Sequence, residues 1–190
     1  MSSDTVDTLG NQKRTNYALR ADMTKEEFIK EVTTGILPPP QYFPKNAMMN
    51  KNGYESFDSV MEHGLKALSL EEFKNEVATG ALILDVRTQG EFIQGFIPNS
   101  LFIGLNGTFA MWVGALITDI HQKIVLIAPE GKEEEAVMRL ARVGYDNTVG
   151  FLAGGVSTWD GKLNTITSVS AEEVAQKASE LNIVDVRKPG

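Results

Sequence analysis

The apolar positions of this chain fall into two recurring patterns. Ile124-Val125-Leu126-Ile127 is an unbroken apolar run of strand length, the signature of a strand buried on both faces. Pro129 and Gly131 interrupt it, and Glu133-Glu134-Glu135 places carboxylates where a helix begins. Ala136, Leu140 and Val143 then keep helical spacing, and Gly144 stands where that helix should end. Leu82–Val86 predicts a second buried strand, closing on Asp85 and Arg87, and Leu101–Ile103 and Thr148–Leu152 predict two more. Between them, Ser69-Leu70-Glu71-Glu72 is a capping box ahead of Phe73 and Val77. Glu91–Gln94 predicts a helical turn, Phe96–Ser100 a turn, and Phe109–Ile117 an apolar helix. Strands alternating with helices predict an α/β fold: a small parallel sheet with helices on both faces and right-handed crossovers.

The first third of the chain lacks this alternation. Met1–Tyr17 is polar and aperiodic, as expected of a frayed or extended terminus. Thr24 and Glu27 form a capping box for a helix with Phe28, Ile29 and Val32 on one face, ended by Gly35. Pro38-Pro39-Pro40, with Tyr42, Phe43 and Pro44, predicts a stiff spacer lying on the domain. Tyr54–His63 predicts a short helix. An internal echo appears at the other end. Ser69–Phe73 leads to Asp85-Val86-Arg87, and Ser170–Val174 leads to Asp185-Val186-Arg187, 100 positions later. The predicted organisation is therefore an extension over residues 1–66, a compact domain over 67–163, and the start of a second copy over 164–190. One helix and one strand cannot bury themselves alone, so Ser168–Gly190 should be loosely attached or packed on the first copy.

Composition narrows the function. Hydrophobic residues make up 42% of 190 residues, enough for a packed core. A net charge of −7 argues against nucleic acid as a partner. No apolar run reaches membrane-spanning length, and the first residues have no signal-peptide core, so a cytoplasmic protein without membrane association is expected. There are no cysteines, which removes disulfides, thiolate metal sites and thiol catalysis from this polypeptide.

Candidate chemistry is sparse. Glu130, Glu133, Glu134 and Glu135 outnumber Lys132 in the loop after Ile127, so an anionic substrate would be repelled there. The acidic run is most simply a solvated helix start; a docking loop for a basic partner is the alternative. Asp85, Arg87 and Glu91 suggest an Arg87–Glu91 ion pair, with Asp85 capping loop amides, rather than acid–base catalysis. Gly154-Gly155 lacks the context of a phosphate loop, and Ser157 and Thr158 have no histidine partner. The only histidines, His63 and His121, stand far apart without carboxylates at ligand spacing, so neither is expected to bind metal. Phe109–Val113 has the aromatic and Met content of an interface, but helical spacing favours core packing.

The stretches LILDVR (82–87), EFIQGFIPNS (91–100), IVLIA with its loop (124–135), RVGYDN (142–147) and LAGGVSTW (152–159) together resemble the rhodanese-like family. TLGNQKRTNYAL and GILPPPQYFPKNAMMN resemble, more weakly, the tail of a metallo-β-lactamase-type domain. Fusions of these two kinds include iron-dependent persulfide dioxygenases. The resemblance implies a rhodanese-like fold and a persulfide-carrying cysteine at the first position of the loop after the central strand. Ala128, or at most Pro129, stands there, so Ala128, Pro129, Glu130, Gly131, Lys132 and Glu133 form a vestigial active-site loop with no catalytic residue. Asp85, Arg87, Glu91, Gly154, Gly155 and Trp159 become structural residues, with Gly154-Gly155 a turn before the last helix and Trp159 in the core. The expected role is an inactive scaffold or docking module of a larger sulfur-metabolism protein. Its partners would be the metallo-β-lactamase-like domain and a second rhodanese repeat of the same polypeptide; a homo-oligomer is also allowed. No cofactor or metal is expected in this chain, and Fe or Zn in the parent would sit on a His-x-His-x-Asp-His motif outside it. Sulfurtransferase activity in a second repeat continuing past Gly190 is the alternative, as is a free-standing acidic binding module.

Overall fold

The computed structural model describes residues 6–19, 22–36, 42–53 and 55–186. The chain divides into two compact units, Met1–Pro39 and Pro40–Gly190. The first carries α1 (Leu9–Thr15) and α2 (Lys25–Thr33). The helix α1 lies where an extended terminus was expected. The Asp7 carboxylate accepts from the Thr8 backbone and the Asn11 and Gln12 side chains, and Thr8 Oγ1 accepts from the Asn11 amide. Polar capping therefore starts a helix that apolar periodicity does not announce. The capping box of Thr24 and Glu27 forms as expected, yet α2 buries none of its residues.

The second unit begins before the Ala67 boundary expected from the sequence. Tyr42, Phe43 and Pro44 are not a spacer but the first turn of α3 (Tyr42–Asn52), where proline costs no hydrogen bond. Pro38-Pro39-Pro40 lies outside the described residues, as does Tyr54; the next helix, α4, runs Phe57–Gly64. Tyr42 packs on the core beside Gly114, and α4 buries Val60 and Gly64.

The sheet contains β1 (Ala67–Leu68), β2 (Leu82–Asp85), β3 (Leu101–Phe102), β4 (Ile124–Ile127) and β5 (Thr148–Leu152). All pairings are parallel, and the order is β1-β5-β4-β2-β3. The central strand β4 explains its own sequence. Ile124 and Leu126 enter one core cluster with Phe109, Val113, Val137 and Leu140, while Val125 and Ile127 enter the other with Phe73 and Ile97. Both faces are covered, so every position must be apolar. The helices over these faces are α5 (Leu70–Ala78), α6 (Gln89–Gln94), α7 (Phe109–Leu116) and α8 (Glu133–Ala141).

Two expectations are corrected here. The helix α7 is core on one side only: Phe109, Val113 and Gly114 are buried, but Met111 and Trp112 are 60% and 56% exposed. In the last segment α9 (Ala171–Gln176) forms behind its Ser170–Glu173 capping box, but residues 182–186 form no strand. Val184 and Val186 are exposed; no neighbouring strand receives them, and an isolated strand has no hydrogen-bond partners of its own. Arg187 and Gly190 lie outside the described residues.

Candidate functional site

In a parallel sheet, binding crevices open at the carboxyl ends of strands whose connections leave in opposite directions. Here β2 connects outward to β3, and β4 connects the other way to β5. The loops after β2 and β4 therefore flank the switch point, joined by a hydrogen bond from the Val86 amide to the Ile127 carbonyl at 2.9 Å. The sequence places the candidate residues here.

The loop after β4 is a tight turn. The Lys132 amide donates to the Pro129 carbonyl at 3.0 Å, and Gly131 takes φ +78°, the left-handed conformation that favours glycine. Ala128 is half-buried, with its methyl against the core. Lys132 precedes α8 without a side-chain cap. Its Nζ lies 2.9 Å from Glu135 Oε2, while Arg139 approaches the other oxygen at 3.4 Å. The hydrogen bond from Lys132 is the main cause holding the Glu135 carboxyl below its usual range. The loop's lysine is thus engaged on its own helix, and the side chains from 128 to 132 include no thiol and no hydroxyl.

The loop after β2 contains a buried fork. Arg87 Nε donates to Asp85 Oδ1 at 3.0 Å and Oδ2 at 3.1 Å, and Arg87 Nη2 donates to Oδ2 at 2.6 Å. The same Nη2 reaches the Gly95 carbonyl at 2.8 Å, and the Arg87 amide donates to Asp85 Oδ1. Asp85 and Arg87 are only 1% and 7% exposed. The expected Arg87–Glu91 pair is therefore replaced by Arg87–Asp85, although Asp85 does cap a loop amide as expected. Glu91 instead closes a capping box on Thr88, whose side-chain and backbone hydrogen bonds lower the Glu91 pKa. A three-residue cap is local and needs no reach across the loop, so it takes the glutamate.

The third loop follows β5. Gly154 and Gly155 take φ +74° and +63° and lead into a short 3₁₀ helix, Gly155–Thr158. Trp159 is partly buried, edge-on to Phe73 at 6.5 Å with Lys74 Nζ 5.3 Å from its ring centroid. These residues turn the chain and pack; they present no reacting group.

Among the described residues, no group of three or more His, Asp or Glu side chains is arranged to hold a metal ion. The two histidines are nevertheless not as isolated as their spacing implied. His63 and His121 line one cleft with Glu55 and Asp146, and His63 Nδ1 lies 3.6 Å from Glu55 Oε1. Proximity from separate elements leaves no mark in local spacing.

The architecture defines a five-stranded parallel α/β domain whose loops after β2 and β4 flank the switch point of the sheet. Residues 69–162 match the rhodanese-like domain family, and this chain carries a rhodanese-like domain at those positions. Of solved structures, a metallo-β-lactamase from Staphylococcus aureus subsp. aureus COL is similar over 77% of this chain, at 22% identity and a TM-score of 0.59. The chain spans 40% of that protein's length. The rhodanese-like domain of the Anabaena sp. Alr3790 protein is similar over 65% of this chain and 95% of its own, at 17% identity and a TM-score of 0.44. Human single domain sulfurtransferase TSTD1 covers 50% of this chain and 96% of its own, at 26% identity and a TM-score of 0.38. No curated protein matches the sequence.

Proposed function

We propose that this chain is a catalytically inactive rhodanese-homology module, serving as a structural or docking domain in a larger cytoplasmic sulfur-metabolism protein. The observation that carries this reading is Ala128, half-buried against the core at the first position of the loop after the central strand. Sulfur transfer requires a polarisable thiolate that attacks and then leaves, and a methyl group does neither. The acidic start of α8 adds to the argument. Glu133, Glu134 and Glu135 occupy the helix end that would otherwise attract an anionic sulfur donor. The parent protein in this reading is a metallo-β-lactamase-fold enzyme, and its Fe or Zn belongs to that neighbouring domain. The exposed Met111 and Trp112 on α7 supply apolar surface of the composition that interfaces favour.

A thiosulfate:cyanide assay on the chain tests the inactive reading. No thiocyanate should form above the uncatalysed rate; turnover would remove the argument from Ala128.

A further inference from the structure

The chain holds two Asn-Gly pairs, Asn52-Gly53 and Asn106-Gly107. Such a pair is open to one intramolecular reaction. The glycine amide nitrogen attacks the asparagine Cγ, and glycine has no Cβ to obstruct the approach. All four residues are exposed, and the two glycines are left-handed at φ +91° and +86°. A methyl group on either glycine would meet nothing within 4 Å. Sequence, exposure and local space therefore do not separate the two pairs.

The backbone does. Asn52 is the last residue of α3, and the Gly53 amide donates to the Met49 carbonyl at 2.8 Å. Attack from that nitrogen requires this bond to break and the helix end to leave its helical conformation. Asn106 lies in the connection between β3 and α7. Among the described residues, neither its side chain nor the Gly107 amide has a hydrogen-bond partner. The connection is held on either side of the pair instead. The Leu105 amide donates to the Val86 carbonyl at 3.2 Å, and Phe109 is 1% exposed.

We propose that Asn106 is a site of spontaneous deamidation in the folded protein, and that α3 protects Asn52. The Gly107 nitrogen loses its proton and bonds to Asn106 Cγ. The Cγ–Nδ2 bond breaks, and Nδ2 leaves with a proton as ammonia. Water then opens the cyclic imide at either carbonyl, its hydroxyl going to carbon and its hydrogen to nitrogen. The product is aspartate or isoaspartate at position 106, and nothing is oxidised or reduced. Asn106 lines a cleft of about 630 Å³ with Arg87, Phe102, Trp112 and Leu116. The new carboxylate therefore changes the charge beside the exposed face of α7.

Incubation of the full chain at neutral pH, followed by tryptic digestion and tandem mass spectrometry, tests this. Cleavage after Lys51 and Arg87 puts the two pairs on separate peptides, residues 52–66 and 88–123. Conversion at Asn106 should run about fivefold faster than at Asn52, the effect of one protein hydrogen bond on a rate, with isoaspartate among the products. In urea above the unfolding transition the two rates should converge, since the pair is the same. Ala47→Gly, at an exposed position of α3, loosens that helix; it should speed conversion of Asn52 and leave Asn106 unchanged. Equal rates in the folded chain, a rate ratio that persists in urea, aspartate without isoaspartate, or no acceleration of Asn52 in Ala47→Gly would overturn the proposal.

Discussion

Gly64, the last residue of α4, lies so close to Val137 of α8 that a methyl group on it would sit 2.5 Å from Val137 Cγ1. This contact explains why the compact unit starts ahead of the rhodanese-like residues 69–162. The helix α4 is part of the core, and its closest approach is made by a residue without a side chain.

Gly64→Ala should therefore destabilise the protein by about 1–3 kcal/mol, the cost of forcing a methyl into a packed contact. Val137→Ala in the same chain should return part of the loss. Urea denaturation of the single and double variants measures both.

Breaking the buried fork should cost more. Arg87→Ala leaves the Asp85 carboxylate buried without its guanidinium, a loss of about 3–5 kcal/mol. Glu91→Gln, which weakens only an exposed cap, should cost well under that. Midpoints in urea would rank the two, and equal losses would contradict the Arg87–Asp85 pairing.

Placing a thiol at position 128 should not by itself produce sulfurtransferase chemistry. In Ala128→Cys the thiol shares its loop with Glu130 and Glu133, and the loop's lysine is held by Glu135. Its pKa should be at or above the ordinary value of about 8.5. Alkylation rates measured against pH would give that value, and the thiosulfate:cyanide assay should stay silent. Exchanging Glu130 and Glu133 for lysine in the same variant should lower the thiol pKa.

Two carboxylates give opposite pH dependences. The Ser69 backbone and side-chain hydrogen bonds, helped by Lys66, lower the Glu72 pKa from 4.5 to about 2. A lowered carboxylate contributes stability that is present above its unfolded pKa and lost as pH falls through the folded value. The advantage of the native chain over Glu72→Gln should therefore shrink between about pH 4.5 and 2.

Asp146 has the reverse sign. Its pKa is raised, mainly by burial, so the folded state holds its proton more tightly than the unfolded state. Native stability is then penalised above the folded pKa, and the penalty disappears below the unfolded one. Asp146→Asn should be more stable than the native chain at neutral pH, and the difference should close in acid. Thermal melts across that range check the sign.

The sequence by itself determined what depends on near neighbours. The capping boxes read at Thr24 and Ser69 each join residues three apart, and both form. The β4 run was equally legible, because a strand buried on both faces leaves only apolar residues, and the absence of cysteine from its loop is read directly from the letters. Tertiary structure decided the rest. Arg87 could reach either carboxylate by spacing; burial of the fork between β2 and Gly95 selects Asp85 and releases Glu91 to its cap. Met111 and Trp112 look like core from helical spacing, and only the position of the sheet shows which side of α7 is covered. His63 and His121, 58 residues apart, share a cleft because α4 and the turn before β4 converge at one end of the sheet. Local patterns encode the elements, whereas packing sets which of their faces meet, and that depends on residues distant in the chain.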